Sequence, residues 1–211
     1  MMISKFIQQD FFGVWSQIFF VVISSRPNNG NNELLSGMLS TFAECAGNRM
    51  LIDSLLSTHA LIESIFNVIV LNPQRIYNTI IFPEIASLCC NLSGIESFEH
   101  TEKLIDIGMI KVLFTMLAKF SSISLSTTSY CLDALFNLME FWQDESIQDK
   151  IKHQCCEFTF GNQTGMDILD NLTVGNNEYI TEKATELLMY YFDIFGDQDE
   201  FRLDERDELE Y

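Results

Sequence analysis

Catalysis needs a nucleophile, an acid–base pair or a ligand set at workable spacing. The one cysteine–histidine proximity in this chain is His153 with Cys155 and Cys156. Such a pair could in principle activate a thiolate, but residues two or three apart on a helix rarely form a nucleophile–base pair. Asp167 with Asp170, and Asp204 with Glu205, could share a proton, yet they read first as surface charge. There is no glycine-rich phosphate loop, no G-x-S-x-G and no H-E-x-x-H. Cys45, Cys89, Cys90, Cys131, Cys155 and Cys156 include no C-x-x-C, and His59, His100 and His153 show no zinc-ligand spacing relative to them. The expectation is a protein that is not an enzyme and uses no metal or cofactor. Its thiols are expected to be buried and reduced, which fits the cytosol or nucleus better than a secretory route.

What remains is a pair of amides on otherwise apolar helices. In residues 130–139, Leu132, Leu135 and Leu138/Met139 recur at three and four residues and share one helical face. Asp133 and Asn137, four apart, line up on a different strip. A similar helix over 84–92 places Asn91 where Asn137 stands, and a third follows over 182–192. The 46 residues between Asn91 and Asn137 fall within the ~40–47 of armadillo- and HEAT-type repeats. The two amides should occupy equivalent posts on successive layers and look into one shared trough.

The elements that must position them can be read along the chain. At 211 residues, 47% hydrophobic with 18 Phe, the chain can build a continuous core, and three prolines and ten glycines argue against disorder. Strand signals are scarce, so the fold is expected to be all-α. Helices are expected at 11–24, 33–46, 50–56 and 60–71, with a loop over Asn28–Asn32. They continue from Pro83, in a first turn, to Asn91, then at 100–107, 109–119, 123–141, 144–156, 166–172 and 177–194. Short helix, break, medium helix, loop and long helix recur, which favours the three-helix armadillo unit over a two-helix pair. The reading is an armadillo-type right-handed α-solenoid of about four to four and a half repeats. Its units are about 1–33 (partial), 33–74, 75–120, 121–175 and 176–195, followed by an acidic tail at 196–211. Each unit is too small to bury its own apolar face and must stack on its neighbours.

Phe11, Phe12, Trp15, Phe19 and Phe20 crowd the first helix without a polar outer face. Either a partner covers that face or the chain is a truncated version of a longer solenoid. The apolar run 11–23 is too short to span a bilayer and contains Gln17. The net charge of −18 repels phosphate backbones and anionic lipid heads, so nucleic acid and membranes are poor partners and basic peptides or proteins good ones.

Several stretches resemble the C-terminal part of the importin-alpha (karyopherin-alpha) armadillo domain. Cys131-Leu132-Asp133-Ala134-Leu135-Phe136-Asn137-Leu138 resembles that family's penultimate long helix, and Gly165-Met166-Asp167-Ile168-Leu169-Asp170-Asn171-Leu172 resembles the segment that follows. Tyr179, Lys183, Ala184, Leu187, Leu188, Tyr191 and Phe192 fit its last helix, and the acidic tail comes where the family has one. Ala46-Gly47-Asn48-Arg49 and the run from Asp106 to Leu113 fit the same frame. The likeness covers about 11–205, roughly the last four and a half of the family's ten repeats.

The resemblance implies a nuclear import adaptor, shuttling between cytoplasm and nucleus, whose concave face takes lysine- and arginine-rich localisation signals. The family's long helices carry W-x-x-x-N arrays, in which the Trp plane packs on a basic stem and the Asn fixes the peptide backbone. Here Ser87 precedes Asn91 and Asp133 precedes Asn137, so tryptophan is missing from both posts and the signal pocket is expected to be weak. Trp15 and Trp142 are expected in packing roles. On this reading Asn91, Ser87, Asn137, Asp133 and Glu84 are the peptide-binding candidates. Glu182, Glu186, Asp197, Asp199 and Glu200 would meet the nuclear export receptor. Importin-beta is implied only if a missing N-terminal basic segment exists. The alternative is a generic armadillo scaffold unconnected with nuclear transport.

Overall fold

The computed structural model describes residues 11–25, 29–57, 59–71, 81–95, 97–140 and 145–192. Within them the chain forms α1 (Phe11–Ser24), α2 (Asn29–Ala46), α3 (Arg49–Ser57), α4 (His59–Leu71), α5 (Ile81–Ser93) and α6 (Phe98–Asp106). It continues with α7 (Met109–Phe120), α8 (Leu125–Glu140), α9 (Glu145–Glu157), β1 (Thr159–Phe160), β2 (Gln163–Thr164), α10 (Gly165–Thr173) and α11 (Glu178–Glu186). A π-helical turn, Leu187–Tyr191, extends α11.

The helices fall into rows. The long helices α2, α5, α8 and α11 lie side by side in that order, and the α2–α5 and α5–α8 pairings are the most extensive in the molecule. A second row runs α4, α7, α10. The short helices α3, α6 and α9 are linked by polar side chains: His100 Nε2 lies 3.6 Å from Asp53, and Lys150 forms ion pairs with Asp106 and, at 3.8 Å, Glu102.

Helix α7 sits at the centre, packed against α4, α5, α6, α8, α9 and α10. Its sequence explains the position. From Met109 to Leu117 every residue but Lys111 is buried, so the helix has almost no face to offer solvent. Gly108 makes the tight entry possible: at φ 98 it ends α6 and begins α7 in a left-handed conformation that costs other residues. One core runs through all the layers, from Phe12 on α1 to Leu188. Trp15, half-buried, packs against it, with its ring 5.0 Å from that of Phe11 and 5.8 Å from that of Phe42.

Four features differ from the sequence expectation. The run Asn29-Gly30-Asn31-Asn32, read as loop, is the first turn of α2. Its residue types favour turns, but α2 gains its stability from packing on α5, which outweighs local propensity. Residues 159–164 form an antiparallel ladder, Thr159 opposite Thr164 and Phe160 opposite Gln163, turning at Gly161 with φ 63. Strands of two residues are too short to show an alternating pattern. The hydrogen-bond register widens at 187–191, a change that no residue type announces. The thiols also differ: Cys89, Cys131 and Cys155 are buried, but Cys45 and Cys90 are half-buried and Cys156 is exposed. Trp142 and the acidic tail lie outside the described residues.

Among the described residues no helix is long and apolar enough to cross a membrane, and no group of His, Cys, Asp or Glu is arranged to hold a metal ion.

Candidate peptide-binding trough

The long helices are stitched together by polar side chains at a regular interval. Asn91 Nδ2 donates to the carbonyl oxygen of Ala43 at 2.8 Å. That carbonyl lies in the last turn of α2, where helix carbonyls lack intrahelical partners, and it also accepts from Gly47 N at 3.1 Å. One layer on, Asn137 Nδ2 donates to Ser93 Oγ at 3.2 Å, and Ser93 Oγ donates in turn to the carbonyl oxygen of Cys90 at 2.8 Å. Both amides pass over the glycine that ends the preceding long helix, Gly47 under Asn91 and Gly94 under Asn137. Each link contributes about 1 kcal/mol, whereas one fully buried Leu or Phe contributes about 1.5–3 kcal/mol. The amides therefore set the register of the layers, and the apolar core supplies the cohesion.

Neither amide is used up by its link. Among the described residues each keeps a second N–H and its oxygen, and both line one cavity of about 500 Å³ at the C-terminal ends of α2 and α5. Ile52 and Ile95 supply apolar wall, and Asp53, Ser97 and His100 supply polar groups. The Asp53 side chain is 79% exposed, so its charge is open to an incoming cation. The Nδ1 atom of His100 is buried with no hydrogen-bond partner among the described residues. Cys90 also lines the cavity. Burial, and then the nearby Asp133 carboxylate, push its thiol up to about 11, so it stands there as a neutral group. The cavity thus offers amides, an imidazole and a carboxylate, a set suited to a peptide backbone and a basic side chain.

At the next groove, between α8 and α11, the posts repeat but the residue types change. Tyr179 stands 46 residues after Asp133 and donates its phenolic hydroxyl to that carboxylate. Partial burial, and then the bond to Asp133, push the phenol up to about 12, while a hydrogen bond with Ser129 works in the opposite direction. Lys183 stands 46 residues after Asn137, with Nζ 3.5 Å from the centroid of the Phe136 ring and 4.0 Å from Glu186.

The structure therefore brings Asn91 and Asn137 together, as their spacing expects, and separates the other candidates from them. Ser87 and Glu84 lie one and two turns back along α5, half-buried and outside the cavity lining. Asp133 points its carboxylate at Tyr179 in the following groove. Of the acidic candidates nearer the C-terminus, Glu182 is exposed on α11 and Glu186 accompanies Lys183. Asp197, Asp199 and Glu200 lie outside the described residues. Asp53 and His100 were not legible as site residues, because they come from the short-helix row and meet the amides only after folding. Tyr179 and Lys183 could have been found by carrying the 46-residue interval one step further.

In comparisons with known proteins, no protein-family model and no curated protein matches the chain. Solved structures match its fold. A designed armadillo repeat protein in complex with the peptide (KR)4 aligns at TM-score 0.64 and 16% identity, covering 89% of this chain and 66% of the designed one. Computationally designed armadillo repeat proteins for modular peptide recognition align at TM-score 0.63 and 16% identity, covering 89% and 67%. A further designed armadillo repeat protein aligns at TM-score 0.57 and 14% identity, covering 81% and 62%. The chain thus spans about two thirds of these proteins' length. Its fold is the all-α armadillo-type solenoid that the helix pattern expects.

Proposed function

We propose that the chain is a receptor for basic peptide segments, and more specifically an importin-alpha-like adaptor for nuclear localisation signals. The observation that carries the reading is the pair Asn91 and Asn137. One repeat apart, they keep spare hydrogen-bonding capacity at a single cavity that Asp53 makes acidic. An extended backbone would bond to the two amides while a Lys or Arg head meets Asp53. The net charge of −18 draws such segments in from a distance. The same fold in a designed protein holds the peptide (KR)4, which supports basic peptides as the ligand class.

The nuclear assignment draws on the resemblance of the last two long helices. It implies residence in both cytoplasm and nucleus, with Glu182 and Glu186 among the contacts of an export receptor. The role is one of binding rather than catalysis. Without tryptophan at the posts of Ser87 and Asp133, the cavity and its carboxylate replace ring stacking as the source of affinity.

The test is fluorescence anisotropy with labelled (KR)4 at low and at physiological salt. Saturable, salt-sensitive binding is expected, weakened about tenfold by Asn91→Ala. Asp53→Asn should flatten the salt dependence. Absence of saturable binding at low salt, or equal binding of a neutral peptide of the same length, would overturn the assignment.

A further inference from the structure

We propose that Lys183 is a built-in ligand: the chain's own cation fills the groove between α8 and α11 and shuts it against a guest lysine or arginine. The inference deepens the peptide-receptor reading by fixing where a bound segment must stop.

Three observations carry it. Lys183 continues the series Asn91, Asn137 at the same 46-residue interval, so its side chain enters its groove from the post that holds an amide in the two earlier layers. Its ammonium lies 3.5 Å from the Phe136 centroid, well inside the ~6 Å range of cation–π attraction, and Glu186 is 4.0 Å away. One turn earlier, Tyr179 engages the carboxylate of Asp133. The aromatic face and the acid that a guest cation would need are thus both held by residues of α11. In the cavity beside α2 and α5 the opposite holds, since Asp53, although 3.6 Å from His100 Nε2, keeps a side chain 79% exposed, and both amides keep hydrogen-bonding capacity among the described residues. A basic segment therefore runs over α2, α5 and α8 and goes no further.

The plug consists of the lysine stem as well as its charge, which separates two substitutions. Lys183→Ala removes both stem and charge from the Phe136 ring, whereas Lys183→Met removes the charge but keeps an unbranched chain over it. With N-acetyl-arginine amide as probe and the Phe136 ring protons followed by NMR, no saturable shift is expected in the wild type or in Lys183→Met. A saturable shift is expected in Lys183→Ala. In parallel, (KR)4 should bind Lys183→Ala roughly three- to tenfold more tightly than it binds Lys183→Met. A Phe136 response already present in the wild type, or none in a natively folded Lys183→Ala, would overturn the proposal.

A measurement on the unmodified chain stands in if Lys183→Ala does not fold. The Lys183 Cε protons should be shifted upfield by the ring current, and Phe136→Leu should abolish the shift; ordinary lysine values in the wild type would refute the plug. Neither the arginine-amide titration nor the ring-current shift depends on (KR)4 capture by the wild type. The closed groove and the peptide-receptor reading can therefore fail separately.

Discussion

Tyr179 on α11 gives its phenolic hydrogen to Asp133 on α8, one layer back, so the last two long helices are joined by a phenol–carboxylate bond instead of an amide. The folded-state phenol is pushed from 10 up to about 12. A group raised on folding stabilises below its unfolded value and loses that contribution as pH rises through its folded value. Tyr179→Phe is therefore expected to cost about 0.5–1 kcal/mol near neutrality, the modest size reflecting an exposed pair. The difference from wild type should shrink between pH 10 and about 12. Urea denaturation of both proteins across that range checks it, and a gap that widens with pH would contradict it.

The relay from Asn137 through Ser93 to the Cys90 carbonyl predicts coupling. Asn137→Ala and Ser93→Ala should each destabilise by about 1 kcal/mol, and the double variant by clearly less than their sum. Additive losses in a double-mutant cycle would mean that the two side chains act independently.

Gly165 begins α10 with its N–H bonded to the carbonyl oxygen of Phe158 at 3.1 Å. A methyl group there would overlap the carbonyl oxygen of Cys155 and press on the Phe114 ring at 3.1 Å. Backbone cannot yield as a side-chain tip can, so Gly165→Ala is expected to cost roughly 1–3 kcal/mol. A wild-type midpoint in denaturant would show that the α9–α10 junction is looser than its packing implies.

Thiol labelling should follow exposure. Cys156 is expected to react first in the native protein, and Cys45 and Cys90 more slowly, since burial raises both thiols. Cys89, Cys131 and Cys155, buried and raised further, should label only on unfolding. Mass spectrometry over a time course resolves the order, and early modification of Cys131 would be inconsistent with the core.

Much of the architecture was legible because apolar periodicity states it directly. The pattern Leu132, Leu135, Leu138 defines α8, and Asn91 with Asn137 marks the layer spacing, since an amide on an apolar helix stands out. The cavity was not legible: Asp53 and His100 lie on short helices whose relation to Asn91 depends on how successive units rotate against one another. The post of Lys183 is legible from the 46-residue interval, but its contact is not: in sequence a lysine on a helix reads as solvent-facing, and the Phe136 ring beneath its ammonium appears only in the fold. The start of α2 is not legible either, because Asn29 to Asn32 have the composition of a loop and take helical form through tertiary packing.

The two fastenings between layers differ in kind. Along the short-helix row they are charge pairs open to water, Lys150 with Asp106 and Glu102, and His100 with Asp53 when the imidazole is protonated. Along the long-helix row the first two are neutral amide bonds, indifferent to added electrolyte. Raising ionic strength therefore weakens the contacts of the short-helix flank while sparing the amides of the other. The layers stay stacked all the same, because the apolar core shared by every row is untouched by electrolyte.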